Sequence, residues 1–412
     1  MRYRWLQFAI LVAILGGACA QAPAASPKRV AAIVTEYRHN SHADVIVSRM
    51  LLTDTLDGKG KEPQLKLASL YTDQRPANDM SRLLAASHQF PVYESIADAL
   101  TLGTGMLAVD GVLLVAEHGD YPMSPTGNRQ YPKRRFWDET VAVFRASGRV
   151  MPVFIDKHLA DNWADARHIY DTARELQIPL MAGSSVPGTW RNPPAAVTPG
   201  VKLKEIVGIT YGSTDAYGFH GLEVVQSLAE QRAGGETGVR AVECASGEAV
   251  WKALDDGLFD RALFDAAWLR SPGKREDRPL RELVAEPKLM MLEYNDGLRL
   301  YLLELNGAVN AWTAAWRECE RVVSTQFATQ EARPAYHFQL LFDGIERMVH
   351  SGKPSWDVER TLLTSGALDA LLQSLVDGGR RIETPYLDVT YRPTWRWSEP
   401  PAMPPGRPWN EQ

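Results

Sequence analysis

The stretch Val150 to Gly183, VMPVFIDKHLADNWADARHIYDTARELQIPLMAG, confines this chain to few folds. Val150, Val153, Phe154 and Ile155 make a short apolar run, the pattern of a parallel strand buried on both faces. The charged triplet Asp156, Lys157, His158 breaks it at the carboxyl end. Ala164, Ile169, Ala173 and Leu176 then recur at helical spacing, while Asp161, Asp165, Arg167 and Glu175 take the wet face. Ile178 to Ala182 starts another strand, and Gly183 ends it. Strand, helix and strand in this order predict a right-handed crossover unit, which binds ligands at the carboxyl ends of its strands. Lys157 is thereby placed over a cleft.

The same alternation runs upstream. Val30–Val34, Leu65–Tyr71, Pro91–Tyr93 and Val109–Ala116 read as strands, and Ala43–Leu52 and Phe136–Ala146 as helices. The first strand–helix loop is TEYRHNSHAD, and no glycine occurs between Arg29 and Asp57. A dinucleotide-binding loop needs glycine so that the backbone can approach the pyrophosphate. Instead Arg38, His39, Asn40, Ser41 and His42 lie near a helix amino terminus, where free N–H groups and a cation can receive an anion. Asp73 follows the second strand and suits either a ribose hydroxyl or a turn. Glu117-His118-Gly119-Asp120 ends the strand before the central stretch, and YPMSPTGNRQYPKRR after it reads as a lid or rim.

Past Gly183 the alternation stops, and prolines 187, 193, 194 and 199 suit a crossing between domains. Glu205–Tyr211 is then a strand and Tyr217–Gln231 a helix. Asn295-Asp296-Gly297 predicts a hairpin within Leu289–Leu305, with two more strands in Val309–Phe327. Helices Tyr336–Val349 and Asp357–Leu375 are expected to close this second domain, and the tail from Tyr386, with Trp395 and Trp397, to lie on the surface as a strap. The fold class is α/β: a Rossmann-like parallel-sheet domain over 28–185, an antiparallel α+β domain over 186–385, and an extended tail over 386–412.

Two motifs in this order resemble the Gfo/Idh/MocA oxidoreductase family. Its strand ending in Glu-Lys-Pro is similar to Asp156-Lys157-His158, and its next strand to Pro179-Leu180-Met181-Ala182-Gly183. Its D-x-G-x-H-x-x-D helix start is similar to GSTDAYGFHGLE, with Gly218, His220 and Glu223 in place. The first acid of that motif falls on Ala216, and both Asp215 and Tyr217 stand beside it as substitutes. Pro91-Val92-Tyr93 and Gly352-Lys353-Pro354 resemble two further family turns. The resemblance implies catalysis by Lys157 and His220, with Asp156 and Tyr217 beside them, and a cofactor near Arg38, Asp73, Glu117 and His118. It also implies NAD(P), which the first loop does not support, and a small carbohydrate or cyclitol substrate. Three functions follow: a sugar or cyclitol oxidoreductase, a redox-neutral or metal-assisted lyase or hydrolase on the same substrates, and a non-catalytic sugar-binding protein.

His39, His42, Glu117, His118, Asp120 and His158 are all expected near neighbouring strand ends. Their spacing matches no metal signature, so hydrogen-bonding histidines are the first reading and a metal on His39, His42 and His118 the alternative. Met1–Ala20 has Arg2 and Arg4, an apolar run from Phe8 to Leu15 and the ending Ala18-Cys19-Ala20, the form of a secretory signal. A 21–27 linker follows. Export to a periplasm or the medium is expected; a lipid anchor on Cys19 fits less well because Leu15 lies one position too far upstream. Loss of Arg2 and Arg4 takes the net charge from −5 to −7, which argues against nucleic acid as a partner. The mature chain has no apolar run long enough to span a bilayer, and it is compatible with a homo-oligomer.

Overall fold

The computed structural model describes residues 26–409; the signal segment and most of the linker lie outside them. Six strands form a parallel sheet: β1 (Lys28–Val34), β2 (Leu65–Thr72), β3 (Val92–Tyr93), β4 (Gly111–Val115), β5 (Val153–Asp156) and β6 (Leu180–Gly183). Their order is β3-β2-β1-β4-β5-β6, which reverses direction at β1 and β4. Such a reversal opens a crevice at the carboxyl ends.

Both faces of the sheet are covered, which is why its strands are continuous apolar runs. Ala31 and Ile33 of β1 face the helices Ile96–Thr101, Lys133–Ser147 and Trp163–Glu175, through Leu100, Phe136, Phe144 and Ile169. Val30, Ala32 and Val34 face the other way, against Val45 and Ile46 and against Phe338, Leu341, Phe342 and Ile345. These last four belong to the helix His337–Ser351. The sequence placed that helix in the second domain. Here the chain returns to the first sheet, because the single turn-and-a-half of His42–Val47 is too short to cover that face.

The second sheet holds eight strands. These are β7 (Trp190–Asn192), β8 (Glu205–Thr210), β10 (Val239–Ser246), β11 (Lys288–Tyr294), β12 (Arg299–Glu304), β13 (Trp312–Glu318), β14 (Arg321–Ala328) and β15 (Ile382–Glu383); β9 (Glu236–Thr237) pairs elsewhere. The order is β15-β10-β11-β12-β8-β13-β14-β7. Both expected hairpins form, β11 with β12 and β13 with β14. The sheet is mixed, not antiparallel throughout, since β8 and β12 pair in parallel at its centre. The helix Ala216–Ala229 lies on one face, and Arg261–Arg270 on the other through Leu263, Phe264 and Ala267. In the tail, β16 (Thr390–Tyr391) pairs with β9, and Trp190 Nε1 donates to the Pro401 carbonyl at 2.9 Å.

Candidate functional site

The site is built where β4, β5 and β6 end. Asp156 is the last residue of β5, and the chain then turns at Lys157, which adopts φ +60° and donates its amide to the Gly183 carbonyl at 3.3 Å. His118, just past β4, has φ +68°. A non-glycine residue in the left-handed region stores roughly 1–3 kcal/mol of strain. Gly183 is strained by any side chain. It has φ +124°, and a Cβ there would lie 2.8 Å from both Glu223 Oε2 and Thr361 Oγ1. The next helix is started by Asn162, whose Oδ1 accepts from the Asp165 amide at 2.9 Å.

Glu117 is the centre of the charge network. Its Oε1 lies 2.9 Å from Lys133 Nζ and its Oε2 lies 3.3 Å from Lys157 Nζ, with all three side chains buried. Lys133 Nζ also reaches the Asp156 carbonyl at 3.0 Å, the His158 carbonyl at 2.8 Å and His158 Nδ1 at 2.8 Å. An ammonium only donates, so His158 accepts there as neutral imidazole. Its pKa agrees: burial, and then the Lys133 charge, lower it to about 3. Burial also opposes the charges on Lys157 and Glu117, but their mutual attraction outweighs it. Lys157 is held above the ordinary lysine value and Glu117 well below the ordinary carboxylate value. Lys157 is therefore a firm ammonium, a donor and a fixed charge and not a base.

His220 is buried, and its Nδ1 lies 2.6 Å from Ser184 Oγ. Burial, followed by the nearby charge of Lys157, holds its pKa well below the usual histidine value, so it is neutral. Lys157 and His220 thus share one environment. Glu223 is fully buried, accepts from Thr364 Oγ1 at 2.7 Å, and is pushed up by burial. Asp215 accepts the Arg129 amide on Oδ2 at 3.3 Å, and its buried Oδ1 has no hydrogen-bond partner among the described residues. Burial raises its pKa. Asp161 Oδ1 and His118 Nε2 are likewise buried without a partner; burial pushes Asp161 well up and His118 down to about 3. All three groups lie within the reach of the Glu117 charge; His118 also feels Lys157, Asp161 also feels Lys133, and Asp215 feels both lysines.

Tyr217 is not in this cluster. It is partly exposed and stacks on Trp312, with centroids 5.7 Å apart and an interplanar angle of 14°, and its ring lies 6.2 Å from that of His220. Asp156 Oδ2 is bound to His42 Nδ1 at 2.6 Å. Of the two candidate substitutes for the motif's first acid, Asp215 is the one that faces the lysines.

Of the four expected cofactor positions, Glu117 is held by the two lysines, His118 keeps Nε2 without a hydrogen-bond partner among the described residues, and Asp73 and Arg38 are engaged by protein. Asp73 accepts from Tyr71 at 2.6 Å, from Tyr121 at 2.7 Å, and from Arg135. Arg38 pairs with Glu36 at 2.5 Å, and Gln74 exchanges two hydrogen bonds with the Asp120 backbone at 2.8 and 2.9 Å. At the helix amino terminus Ser41 caps the Asp44 amide, and the Asp44 carboxylate accepts from the Asn40 amide at 2.9 Å and from Arg333 at 2.7 Å. A fixed carboxylate in the first turn takes the place that would favour a pyrophosphate and repels one. Tyr37 of the same loop does not point into that place. Its ring is buried in the core, with its hydroxyl 2.7 Å from Ser48 Oγ. The residues present do not fit NAD(P).

The metal alternative does not assemble either. His39 is turned to solvent, with 64% of its side chain exposed, while the His42 and His118 rings meet edge to face at 5.3 Å. Among the described residues no group of three His, Cys, Asp or Glu side chains could hold a metal ion. Sequence reasoning missed Lys133, hidden in the polar run KRR. Only its place at the start of a helix after a strand-end loop sets it apart from Arg134 and Arg135. The loop before it does fold over the site, with Asn128 Nδ2 on the Asp161 carbonyl at 2.5 Å and Arg129 on Asp215.

A parallel sheet reversing at β1 and β4, joined through a mixed sheet that sends a histidine-bearing helix to the β4–β6 ends, is the fold of Gfo/Idh/MocA-type dehydrogenases. Solved structures match it along nearly their whole length. GenD2 from gentamicin A biosynthesis, in complex with NAD, superposes with a TM-score of 0.55 at 14% identity, over 87% of this chain and 97% of its own. Apo scyllo-inositol dehydrogenase from Lactobacillus casei gives 0.52 at 12% identity, over 87% and 98%. A probable dehydrogenase from Thermotoga maritima gives 0.52 at 12%, over 87% and 99%. No family model matches the sequence, and no curated protein matches it.

Proposed function

We propose that this chain is a redox-neutral enzyme acting on a sugar or cyclitol, built on an oxidoreductase fold without NAD(P) at its first strand–helix loop. The observation that carries the reading is the set of buried polar atoms with no hydrogen-bond partner among the described residues, Asp215 Oδ1, Asp161 Oδ1 and His118 Nε2, around the Lys157–Glu117–Lys133 network. Each such atom costs about 1–3 kcal/mol unless something bonds to it, and a polyhydroxylated ligand brings both donors and acceptors. The sugar and cyclitol preference is taken from the named substrates of the neighbours.

The chemistry suited to these groups is removal of a proton from a carbon beside a carbonyl. Neutral His220 or Asp215 takes the proton, and the negative charge moves onto the substrate oxygen facing the Lys157 ammonium. Return of the proton to the other face gives an epimer; loss of a β-hydroxyl, protonated as it leaves as water, gives an elimination product. Incubation of the mature protein with keto-sugars and cyclitol ketones in D₂O tests this. Deuterium is expected in substrate or product, and its incorporation is expected to vanish in Lys157→Met. Nicotinamide released from denatured native protein, or turnover only on adding NAD(P), would instead restore a dehydrogenase. The reading includes export by the Met1–Ala20 segment, and an amino terminus at Gln21 in the native protein is its check.

A further inference from the structure

Two arginines are buried beneath the carboxyl-terminal strap, near enough that the charge of one lowers the pKa of the other. Arg360 presents the edge formed by Nε and Nη2 to Glu230, at 2.9 Å to Oε2 and 2.6 Å to Oε1, and Trp395 covers its face with the ring centroid 4.8 Å away. Arg191 of β7 is held between Phe327 and Trp397, with each centroid 4.7 Å from its Cζ. Its Nη1 donates to the Ala195 carbonyl at 2.8 Å. Its Nε and Nη2 form the same edge that Arg360 gives to Glu230. Both are buried and have no hydrogen-bond partner among the described residues.

Burial together with the Arg360 charge lowers the Arg191 pKa to about 9 against a smaller opposing pull from Glu230, and that carboxylate is already forked onto Arg360, so Arg191 is buried with no carboxylate bonded to it among the described residues. Yet aromatic rings on both sides fix its plane and leave the fork edge as its unmatched side. A cavity of about 160 Å³ adjoins this region, lined by Ser184, Gly188, Arg347 and Arg360, by Trp395 and Ser398 of the strap and by one carboxylate, Asp343; Arg191 lies behind this lining and not in it. Gly188 lies three residues before Arg191 on the same segment, and Ser398 directly follows the Trp397 that covers it.

We propose that Arg191 anchors a second binding site, for a small anion presenting two oxygens, a carboxylate or a phosphate, admitted where the strap Trp395–Pro401 lifts from Ser184–Gly188. Side-on pairing through Nε and Nη2 is the geometry that fits such a group, as Glu230 demonstrates on Arg360. This site is independent of the chemistry assigned to Lys157.

The test is calorimetric titration and thermal melting of the mature chain with sodium acetate, glucuronate and inorganic phosphate, at ionic strength held constant with chloride. At least one probe is expected to bind saturably and raise Tm, and preference between glucuronate and phosphate identifies the source. Arg191→Lys keeps the charge without the fork and is expected to weaken binding at least tenfold, as is Arg191→Met. Arg396→Gln on the strap is expected to bind as the wild type does. Without added anion, Arg191→Met is expected to be at least as stable as wild type. The proposal is overturned if no probe binds, if binding survives in both Arg191 variants, or if Arg191→Met is strongly destabilised without anion, since the guanidinium would then already have its counter-charge in the protein.

Discussion

Replacing Glu117 by Gln keeps the shape of the side chain and removes the one carboxylate that both Lys133 and Lys157 contact. Two ammonium groups then remain buried, with only carbonyls and an imidazole nitrogen near Lys133. Removing one partner of a buried ion pair costs about 3–5 kcal/mol. At roughly 2–4 °C per kcal/mol for a domain of this size, Tm should fall by about 6–20 °C. The pH dependence should invert as well. In the wild type Lys157 has a raised pKa, so its contribution is complete below the unfolded value and is lost as pH rises through the folded one. Glu117 is depressed, so its contribution is complete above the ordinary carboxylate value and is lost as pH falls through its folded value. In Glu117→Gln Lys157 loses its nearest counter-charge, with Asp156 and Asp215 still acting on it against burial, and its folded pKa drops. The variant should therefore gain stability as pH rises from neutral toward the ordinary lysine range, where wild type does not. Urea melts of both proteins across that range decide it. A variant within about 1 kcal/mol of wild type, or one with no upward slope, would refute the claim that Glu117 holds the two lysines in the core.

Calorimetric titration with NAD⁺ and NADP⁺ should give Kd values above about 1 mM, a level worth only about 4 kcal/mol, because Asp44 and Ser41 hold the helix terminus; micromolar binding of either would sink this. His220→Ala should lower turnover by about 10²–10⁴-fold with the melting curve nearly retained, and equal activity would remove His220 from the chemistry. Gly183→Ala should cost more than about 1 kcal/mol, since its φ is positive and the new methyl meets Glu223 and Thr361; a neutral melt would show that the turn at Lys157 relaxes freely.

Much of the first sheet was legible because a strand buried on both faces must be an unbroken apolar run, and β1, β4 and β5 are such runs. The position of Lys157 followed from the same rule. The reach of the site did not. Lys133 sits among arginines that look like a solvated helix face, and only the fold turns it inward to Glu117. Nothing in the loop TEYRHNSHAD says that Tyr37 turns into the core, where its hydroxyl meets Ser48. The helix His337–Ser351 has an amphipathic pattern that suits either sheet, and no local signal says which face lacks cover. Val239–Leu283, which supplies β10 and the helices on the second sheet's outer face, was not resolved into elements by eye. Its runs are short and its helix Arg261–Arg270 carries Trp268 and Leu269 among charges.

The late helix His337–Ser351 has a consequence for how the protein is made. The face of β1 formed by Val30, Ala32 and Val34 is finished only by Phe338, Leu341, Phe342 and Ile345. About 150 residues separate the end of β6 from that helix. At synthesis rates of about 5–20 residues per second, the ribosome takes about 8–30 s to supply it. During that interval the second wall of the first sheet consists only of early residues such as Val45, Ile46, Val47 and Leu56. The amino-terminal half therefore cannot complete its core during translation, and a fragment ending near residue 185 should associate through that open face. Folding of this chain is set by its carboxyl-terminal third, so the finished protein closes from its last-made end.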